Sequence, residues 1–503
     1  MSGEPAPVYD LLIAGVGING AGLARDAAGR GLKVLLVDQG DIGGATSSAS
    51  TKLIHGGLRY LEHGEFGLVR ESLGEREALL AIAPHLVREQ RFVIPQAPGQ
   101  RPQWMIRLGL ALYDWLARGS SLKRAQRVAL RGTPYGAPLR EAFASGFAYS
   151  DLATDDARLT LLNAISAAQL GARVLPRTRL VGARRQGLAW RATLLAQDGA
   201  EQEVEARILV NAAGPWAAEL REALTGGAKK DALRLVKGSH LVLPRLYAGE
   251  HAYLLQGRDG RVVFVIPFEE DFSLVGTTEV TVEAPRAEPR IEAAEAEYLC
   301  AIVGEFFARA PRPQQATWSF AGIRALYDDG RSSASAVSRE YHLAVDGELG
   351  EAPLLTIYGG KLTTYRRLAE RALERLRPWL PGLRPAWSAG VHLPGGGLGP
   401  SGLNGLLLEL ARRYPRQPPE LLQALARRHG TLATRVLGGA QTEAELGEHF
   451  GGGLYAAEVD DMIAHEWARS ADDILWRRTK CGLRVDAAGR ERLMHYFSVA
   501  LTA

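Results

Sequence analysis

The sequence predicts an α/β fold in which a parallel βαβ domain is interrupted by a mixed or antiparallel sheet and followed by a helical domain. Three observations predict this fold. A glycine-rich turn joins two short apolar segments near the N-terminus, strand-like segments cluster between residues 239 and 280, and amphipathic segments without strand character follow residue 400. The length of 503 residues exceeds what a single hydrophobic core usually supports, so two or three domains are expected.

The first domain begins with a βαβ unit. Residues 9–14 form a short apolar run typical of a buried parallel strand, residues 20–30 favour a helix that ends at Gly31, and residues 33–37 form a second buried strand. The connecting turn, GVGING, has the glycine spacing of a Rossmann dinucleotide-binding turn, which lets backbone and a helix N-terminus approach a pyrophosphate. The candidate cofactor contacts in this turn are Gly15, Gly17, Asn19 and Gly20.

An acidic side chain follows the second strand. Asp38 stands at the spacing where a carboxylate binds the ribose hydroxyls of a dinucleotide. A carboxylate there disfavours NADP, whose 2′-phosphate would face it. These features do not separate FAD from NAD, and a glycine-rich turn in some other α/β protein is the alternative.

A hydroxyl- and glycine-rich stretch follows at residues 45–60. Hydroxyls and backbone amides at this density suit a second part of the pyrophosphate and the edge of a flavin ring, whereas the alternative is a solvated loop. The candidate cofactor contacts here are Thr46, Ser47, Ser48, Ser50, Lys52, Leu53, His55, Gly56 and Gly57.

Later segments complete the domain organisation. A strand predicted at residues 206–210 can join the first sheet, and it leads to two further candidate cofactor contacts, Gly214 and Trp216. Helices are predicted at residues 362–376, 403–413, 420–428 and 459–481. The predicted domains are a discontinuous cofactor-binding domain (residues 1–85, 150–235 and 316–380), a substrate- and membrane-facing domain (86–149 and 236–315), a linker rich in Pro and Gly (381–400) and a helical C-terminal domain (401–503).

Composition excludes several classes of protein. The net charge of +4 lacks the dense basic field of nucleic-acid binding, so no nucleic-acid partner is expected. The two cysteines, Cys300 and Cys481, have neither disulfide nor zinc-site spacing, so no metal is expected and a reducing, intracellular setting fits. No signal peptide and no apolar run long enough to span a membrane is evident.

Several sequence blocks together resemble one enzyme family. They include GINGAGLARDAAGRGLKV, ATSSASTKLIHGGLRYLEHGEF, KGSHLVLP, YGGKLTTYRRLAERAL and DDILWRRTKCGL, and they occur in the family's order over nearly the whole chain. The chain resembles the aerobic FAD-dependent sn-glycerol-3-phosphate dehydrogenases of the glycine/D-amino-acid oxidase superfamily. The family commonly has glycine where Val16 stands and glutamate where Asp38 stands. Neither departure conflicts with the resemblance, because position 16 is a variable slot and both carboxylates accept ribose hydrogen bonds.

The resemblance implies FAD as cofactor, in a Rossmann-like FAD-binding domain, and sn-glycerol 3-phosphate as substrate. It places His240 at the flavin as general base, although a lone histidine beside a strand is ordinarily structural. His55 is the competing base, with positioning of FAD as its expected role. A phosphomonoester needs guanidinium and ammonium groups, and Tyr60 is a candidate hydrogen-bond donor. The candidate catalytic and substrate-binding residues are His240, Arg324, Lys361, Arg59, Tyr60 and Arg339, and the flavin contacts at the start of the helix 362–376 are Gly360, Lys361, Leu362 and Thr363.

The resemblance also implies a membrane quinone as electron acceptor and a cytoplasmic protein that is peripheral on the inner face of the cytoplasmic membrane. Two segments suit an anionic lipid surface: residues 101–118, rich in Trp, Leu and Arg, which are preferred, and the arginine-rich residues 362–377. For each segment, packing on the protein's own core is the alternative. A homodimer is also an expectation. The alternative functions are an amine or amino-acid oxidase, a glycerol-3-phosphate oxidase that uses oxygen, and a non-enzymatic flavoprotein; the absence of the oxidase branch's extra segment favours the quinone-linked enzyme.

Overall fold

The computed structural model describes residues 8–58, 61, 64–96, 102–227, 233–286, 288–327 and 341–500. The helices of these residues are α1 (Ile18–Gly29), α2 (Phe66–Ile82), α3 (Gln103–Leu116), α4 (Asp156–Gln169), α5 (Ala217–Thr225), α6 (Ala293–Phe306), α7 (Tyr365–Arg375), α8 (Gly402–Arg413), α9 (Pro419–His429), α10 (Ala433–Leu437), α11 (Ala456–His465) and α12 (Ala487–Ala500).

The strands are β1 (Val8–Ala14), β2 (Val34–Val37), β3 (Leu53–Ile54), β4 (Arg88–Gln96), β5 (Gln126–Ala129), β6 (Ser145–Ala153), β7 (Arg173–Leu175), β8 (Thr178–Gln186), β9 (Ala189–Ala196), β10 (Glu201–Asn211), β11 (Leu233–Pro244), β12 (Ala252–Gln256), β13 (Val262–Phe268), β14 (Phe272–Gly276), β15 (Val280–Val282), β16 (Trp318–Tyr327), β17 (His342–Asp346), β18 (Leu354–Tyr358), β19 (His449–Gly451) and β20 (Leu454–Tyr455).

The first sheet confirms the predicted βαβ unit. Its central strands run in the order β17, β18, β10, β1, β2 and β7, and β1 is parallel to both β2 and β10. The distant strand β10 therefore joins the N-terminal sheet, as its apolar pattern predicts. Helices α1, α4 and α7 share one buried core with this sheet, so its continuous apolar strands are covered. The opposite face packs against the β8–β9 hairpin.

The second sheet is mixed, as predicted for the inserted domain. Its strands follow the order β15, β11, β14, β13, β12, β4, β6 and β3, and β16 pairs with β11. The β4–β12 pair is parallel, and the other neighbouring pairs are antiparallel. Helix α6 packs against the sheet through Leu299 and Val303. This sheet brings His240 of β11 beside the first sheet.

Two predicted helices have different bounds in the structure. The helix predicted at residues 362–376 begins only at Tyr365, because Gly359 and Gly360 adopt positive φ angles and Thr364 is the N-cap. The helix predicted at residues 459–481 is interrupted: α11 ends at His465, Trp467 has a φ of +54°, and a short π-helical segment, Asp473–Arg478, follows. None of the helices in the described residues has the length and apolar character that a membrane span requires.

Buried ion pairs connect the C-terminal helices to the first domain. Arg158 of α4 binds Glu466 at 2.9 Å, and Arg478 binds Asp41 at 2.8 Å; all four side chains are almost fully buried. Removing one partner of such a pair leaves an uncompensated buried charge, which is strongly destabilising. The C-terminal helices are thus fixed to the first domain by charge as well as by apolar packing.

Candidate active site

A cavity lies where the two sheets meet. Its walls come from the glycine turn before α1, the hydroxyl-rich stretch, the end of β10, strands β11 and β16, and residues 359–363. The first sheet contributes the carboxyl ends of its strands, where α/β proteins usually bind ligands. The cavity therefore joins the predicted cofactor contacts to the predicted catalytic residues.

Two positions of the glycine turn, Gly15 and Gly20, have no room for a side chain. A Cβ on Gly15, whose φ is +112°, would lie 2.4 Å from the carbonyl oxygen of Ala212, and a Cβ on Gly20 would lie 1.9 Å from the carbonyl oxygen of Gly15. Such contacts permit only glycine. The backbone that opens α1 thus packs tightly against β10 and leaves the helix N-terminus facing the cavity, the arrangement that binds a pyrophosphate.

Asn19 and Ser47 complete this end of the cavity. The Ser47 hydroxyl accepts a hydrogen bond from the Ile18 amide at 2.9 Å, and the Asn19 side-chain amide donates to the Gly359 carbonyl at 3.0 Å. The Asn19 Oδ1 atom is buried and lacks a hydrogen-bond partner among the described residues. A buried polar atom without a partner beside a helix N-terminus fits the polar groups of FAD.

Asp38 lies beside the turn but is not among the residues that line the cavity. Its carboxylate accepts hydrogen bonds from the Val16 amide at 2.6 Å and the Gly40 amide at 2.8 Å. Burial raises the pKa of Asp38, and the two amides oppose that effect. Each carboxylate oxygen has a second lone pair, so the ribose role remains a prediction.

Much of the hydroxyl-rich stretch is used within the protein. The Lys52 ammonium binds Asp156 at 2.6 Å, and the Ser50 hydroxyl donates to the same carboxylate at 2.7 Å. The Thr46 hydroxyl donates to the Ile323 carbonyl at 2.7 Å, and the Gly56 amide donates to the Tyr113 hydroxyl at 2.9 Å. These contacts hold the stretch against α4, β16 and α3, so it forms a rigid wall.

His240 is 2% exposed and reaches the cavity from β11. Its Nε2 atom lies 3.0 Å from the Thr51 hydroxyl oxygen, and its ring stacks on Phe320 at 4.8 Å. Burial lowers the pKa of His240 well below its ordinary value, and the nearby cations Lys52 and Arg324 lower it further. The imidazole is therefore neutral in the folded protein.

Two cationic side chains, Arg324 and Lys361, line the same cavity. Arg324 of β16 lies opposite Val236 in the ladder with β11, and a Cβ on Gly238 would come within 2.7 Å of the guanidinium. Glu279 approaches the guanidinium at 3.6 Å. Lys361 follows Gly360, whose φ of +101° turns the chain before α7.

The structure places the remaining predicted residues as follows. Arg59, Tyr60 and Arg339 lie outside the described residues. The predicted residues that line the cavity are Gly17, Asn19, Thr46, Ser47, Ser50, Leu53, His55, Gly214, His240, Arg324, Gly360, Lys361, Leu362 and Thr363. The predicted residues that are not among its lining are Gly15, Gly20, Asp38, Ser48, Lys52, Gly56, Gly57 and Trp216.

Sequence reasoning missed Thr51 and Phe320, which contact the His240 ring directly. Thr51 lies inside the recognised hydroxyl-rich block, so its position was a signal for a contact with cofactor or base. Phe320 had no comparable signal, because it becomes a neighbour of His240 only through the pairing of β11 with β16.

Two family models match the chain. The model described as FAD dependent oxidoreductase matches residues 10–366, and the model described as the C-terminal domain of alpha-glycerophosphate oxidase matches residues 387–499. The first match covers both sheets and every residue that lines the cavity. The second covers the C-terminal helices from α8 onward.

Characterised relatives align over almost the full length. The chain is 49% identical to glycerol-3-phosphate dehydrogenase of Pseudomonas aeruginosa, over 98% of this chain and 95% of that protein. It is 44% identical to the aerobic glycerol-3-phosphate dehydrogenase of Escherichia coli, over 97% of each. It is also 43% identical to D-erythritol 1-phosphate dehydrogenase of Brucella abortus, over 98% of each.

A solved structure has the same fold. The glycerol-3-phosphate dehydrogenase of Bacillus halodurans, complexed with FAD, superposes with a TM-score of 0.73 at 26% identity and covers 98% of this chain and 89% of its own. The glycine turn, the cavity and these similarities agree on the cofactor. The chain belongs to the FAD-dependent oxidoreductases and carries the C-terminal domain found in alpha-glycerophosphate oxidase.

Proposed function

We propose that this chain oxidises sn-glycerol 3-phosphate to dihydroxyacetone phosphate and passes the electrons to a membrane quinone. The observation that carries the proposal is that a neutral, buried histidine shares one cavity with two cationic side chains and the glycine turn before α1. Oxidation of a secondary alcohol needs a base, and binding of a phosphomonoester needs cations. His240, Arg324 and Lys361 supply them.

When bound, FAD supplies the acceptor for the hydride from C2 of the substrate. His240, whose ring is uncharged before the reaction, takes the proton of the C2 hydroxyl. The carbon–oxygen bond then becomes a carbonyl as the hydride leaves. The imidazole has little room to move, because Phe320 stacks on one face of the ring and Gly276 packs against the other.

Arg324 and Lys361 bind the phosphate and hold the substrate in register with His240. A guanidinium binds phosphate oxygens in a planar, bidentate arrangement, and an ammonium adds a point charge. Arg324 keeps part of its side chain exposed to the cavity, so its donors can reach a ligand.

Anaerobic mixing of the purified protein with sn-glycerol 3-phosphate, followed by flavin absorbance, tests the proposal. Rapid bleaching is expected, and an unchanged spectrum would overturn it. His240→Ala should keep its yellow colour and slow bleaching by roughly two orders of magnitude or more. A near-normal rate in that variant would assign the base to another residue, with His55 as the next candidate.

D-erythritol 1-phosphate is a second candidate substrate, because the relative from Brucella abortus that is named for this substrate is almost as similar as the enzyme from Escherichia coli. Both molecules are phosphomonoesters of a polyol, so the same cations and base serve either. Comparison of kcat/KM for the two substrates decides between them. We expect the higher value for sn-glycerol 3-phosphate, and a higher value for the erythritol ester would reassign the function.

We also propose that α3 attaches the protein to the inner face of the cytoplasmic membrane. Four large apolar side chains of this one helix are strongly exposed: Trp104, Met105, Leu108 and Trp115. Tryptophan and leucine on a short helix with Arg107 nearby suit the headgroup region of an anionic bilayer. Tyr113, on the buried side of α3, accepts a hydrogen bond from the Gly56 amide, which links the helix to the hydroxyl-rich stretch.

The arginine-rich helix α7 is the weaker candidate for membrane contact. Arg366 is buried and hydrogen-bonds to Glu75 at 2.9 Å, Arg371 is paired with Glu71, and Arg377 after the helix is paired with Glu374 at 2.8 Å. Cations that are already neutralised by carboxylates contribute little to binding of anionic lipids. This pairing favours α3 as the contact.

Flotation with anionic liposomes tests the attachment. Leu108→Glu should reduce the bound fraction several-fold, whereas Leu188→Glu, at an equally exposed leucine in the turn between β8 and β9, should not change it. Equal binding of the two variants would contradict the role of α3. Analytical ultracentrifugation of the same samples tests the expected homodimer.

A further inference from the structure

A stack of four rings connects the C-terminal helices to His240. The Trp476 ring lies 4.4 Å from the Trp318 ring at an interplanar angle of 18°, and the Trp318 ring lies 4.8 Å from the Phe320 ring in a tilted contact at 40°. Phe320 lies 4.8 Å from His240 at 16°. Three separate parts of the chain build this stack, namely β11, β16 and the π-helical segment Asp473–Arg478.

Strand β16 carries the middle of the stack. In the antiparallel ladder Phe320 lies directly opposite His240, and Trp318 lies opposite Val242. Alternate residues of a strand face the same side, so Trp318, Phe320 and Arg324 share one face. A shift at the Trp318 end of β16 therefore moves the ring against which His240 rests.

Trp476 is itself held in a defined position. A Cβ on Gly482 would come within 2.7 Å of the indole, and the Arg490 guanidinium lies 5.3 Å above it. The segment that carries the indole is bound to the first domain, because Asp473 pairs with Arg177 at 2.6 Å. The indole thus presents a fixed surface to Trp318.

The His240 ring depends on this support. One ring nitrogen contacts Thr51, and Nδ1 lacks a hydrogen-bond partner among the described residues. A single hydrogen bond at one atom does not fix the plane of a ring. Phe320 stacks on one face of the ring. Gly276 lies so close to the ring that a Cβ there would come within 2.1 Å of the imidazole, so these two neighbours together fix the plane of the ring.

We infer that Trp476 is a positioning residue for His240, acting through Trp318 and Phe320, so that the C-terminal domain completes the active site. The inference rests on the proposed function, in which His240 is the base. It assigns a catalytic contribution to a residue that does not touch the cavity. Misplacement of a catalytic group by about 1 Å can lower the rate about 100-fold.

Stopped-flow reduction of the flavin in Trp476→Ala, Trp476→Phe and wild type measures this contribution. We expect Trp476→Ala to reduce the limiting rate by roughly 10-fold or more, with FAD content unchanged, and Trp476→Phe to stay within about 3-fold of wild type. The matched control is Leu410→Ala, which removes a fully buried side chain from the C-terminal domain in a cluster separate from the stack. If Leu410→Ala lost as much rate as Trp476→Ala, Trp476 would contribute only to the stability of the C-terminal domain, and the inference would be overturned.

Two further measurements separate positioning from general damage. In a His240→Ala background, Trp476→Ala should cause little additional loss, because the base it positions is gone; an equal loss in both backgrounds would overturn the inference. Diethyl pyrocarbonate, read out by mass mapping, should modify His240 faster in Trp476→Ala than in wild type, and equal rates would also overturn it. This labelling is independent of turnover, whereas failure of the substrate to bleach the wild-type flavin would contradict only the proposed function.

Discussion

The Thr51 hydroxyl oxygen lies 3.0 Å from Nε2 of His240, and it is the polar contact that the described residues provide to this ring. Thr51 also lines the cavity. We expect Thr51→Val to slow flavin reduction roughly 5- to 10-fold, as loss of one hydrogen bond implies. Thr51→Ser should retain most of the rate. Stopped-flow reduction checks both, and a valine variant as fast as wild type would show that the contact is dispensable.

Replacement of Arg324 should weaken substrate binding. A hydrogen bond to a charged group contributes about 1.5–3 kcal/mol, so Arg324→Met is expected to raise the dissociation constant for sn-glycerol 3-phosphate roughly 10- to 100-fold. Arg258 has a side chain that is 92% exposed, and Arg258→Met is the control with the same change of charge. The dependence of the flavin reduction rate on substrate concentration gives both constants. Equal effects would mean that only the overall charge matters.

A methyl group at Gly20 should expel the cofactor. The new Cβ would lie 1.9 Å from the Gly15 carbonyl oxygen, so the turn and the start of α1 cannot keep their positions. Gly20→Ala is expected to purify largely without flavin, as the ratio of absorbance at 450 nm and 280 nm will show. Gly74 lies exposed within α2 with open space around it, and Gly74→Ala should keep full FAD content and gain up to about 1 kcal/mol in stability. Full FAD content in Gly20→Ala would contradict the assigned role of the turn.

Acid should destabilise the folded protein through His85. Burial, with Arg158 and His429 nearby, lowers the pKa of His85 to about 3, whereas an unfolded chain titrates near 6.5. Below pH 6.5 His85 binds a proton in the unfolded state but not in the folded state. The free energy of unfolding therefore falls by up to about 1.4 kcal/mol per pH unit, until His85 is also protonated in the folded protein. The pKa of Glu466, lowered to about 2 by Arg158 despite burial, adds a loss in the same direction below pH 4.5.

His85→Leu is expected to reduce the dependence of the unfolding temperature on pH between 6.5 and 5. Both ring nitrogens of His85 are buried without a hydrogen-bond partner among the described residues, so leucine removes no such bond. Differential scanning calorimetry of wild type and variant across this range measures the difference. Parallel curves would place the acid sensitivity in other groups.

The parts of the site that are local in sequence could be predicted from it. The βαβ unit was recognisable because strand, turn and helix follow one another within 30 residues. The glycine spacing was also recognisable, because the turn leaves no room for a Cβ at Gly15 or Gly20. The start of α7 at Tyr365 could not be predicted from the sequence. It follows from the positive φ angles of Gly359 and Gly360, and these depend on contacts between distant parts of the chain, such as that of Gly360 with the Asn19 side chain. Likewise Thr51 and His240 are 189 positions apart, and Trp476 reaches the site only through the packing of two domains.

The buried ion pairs between the first domain and the C-terminal helices limit how this chain can be recombined with its relatives. A chimera that exchanges residues 381–503 receives new partners for Asp41, Asp155 and Arg158, whose present partners are Arg478, Lys480 and Glu466. Any mismatch removes one partner of a largely buried charge, which is destabilising. An exchange of the C-terminal domain therefore requires that the recipient chain already carries the three partner residues, or that these are exchanged as well. The two parts of the molecule are expected to be inherited as a unit.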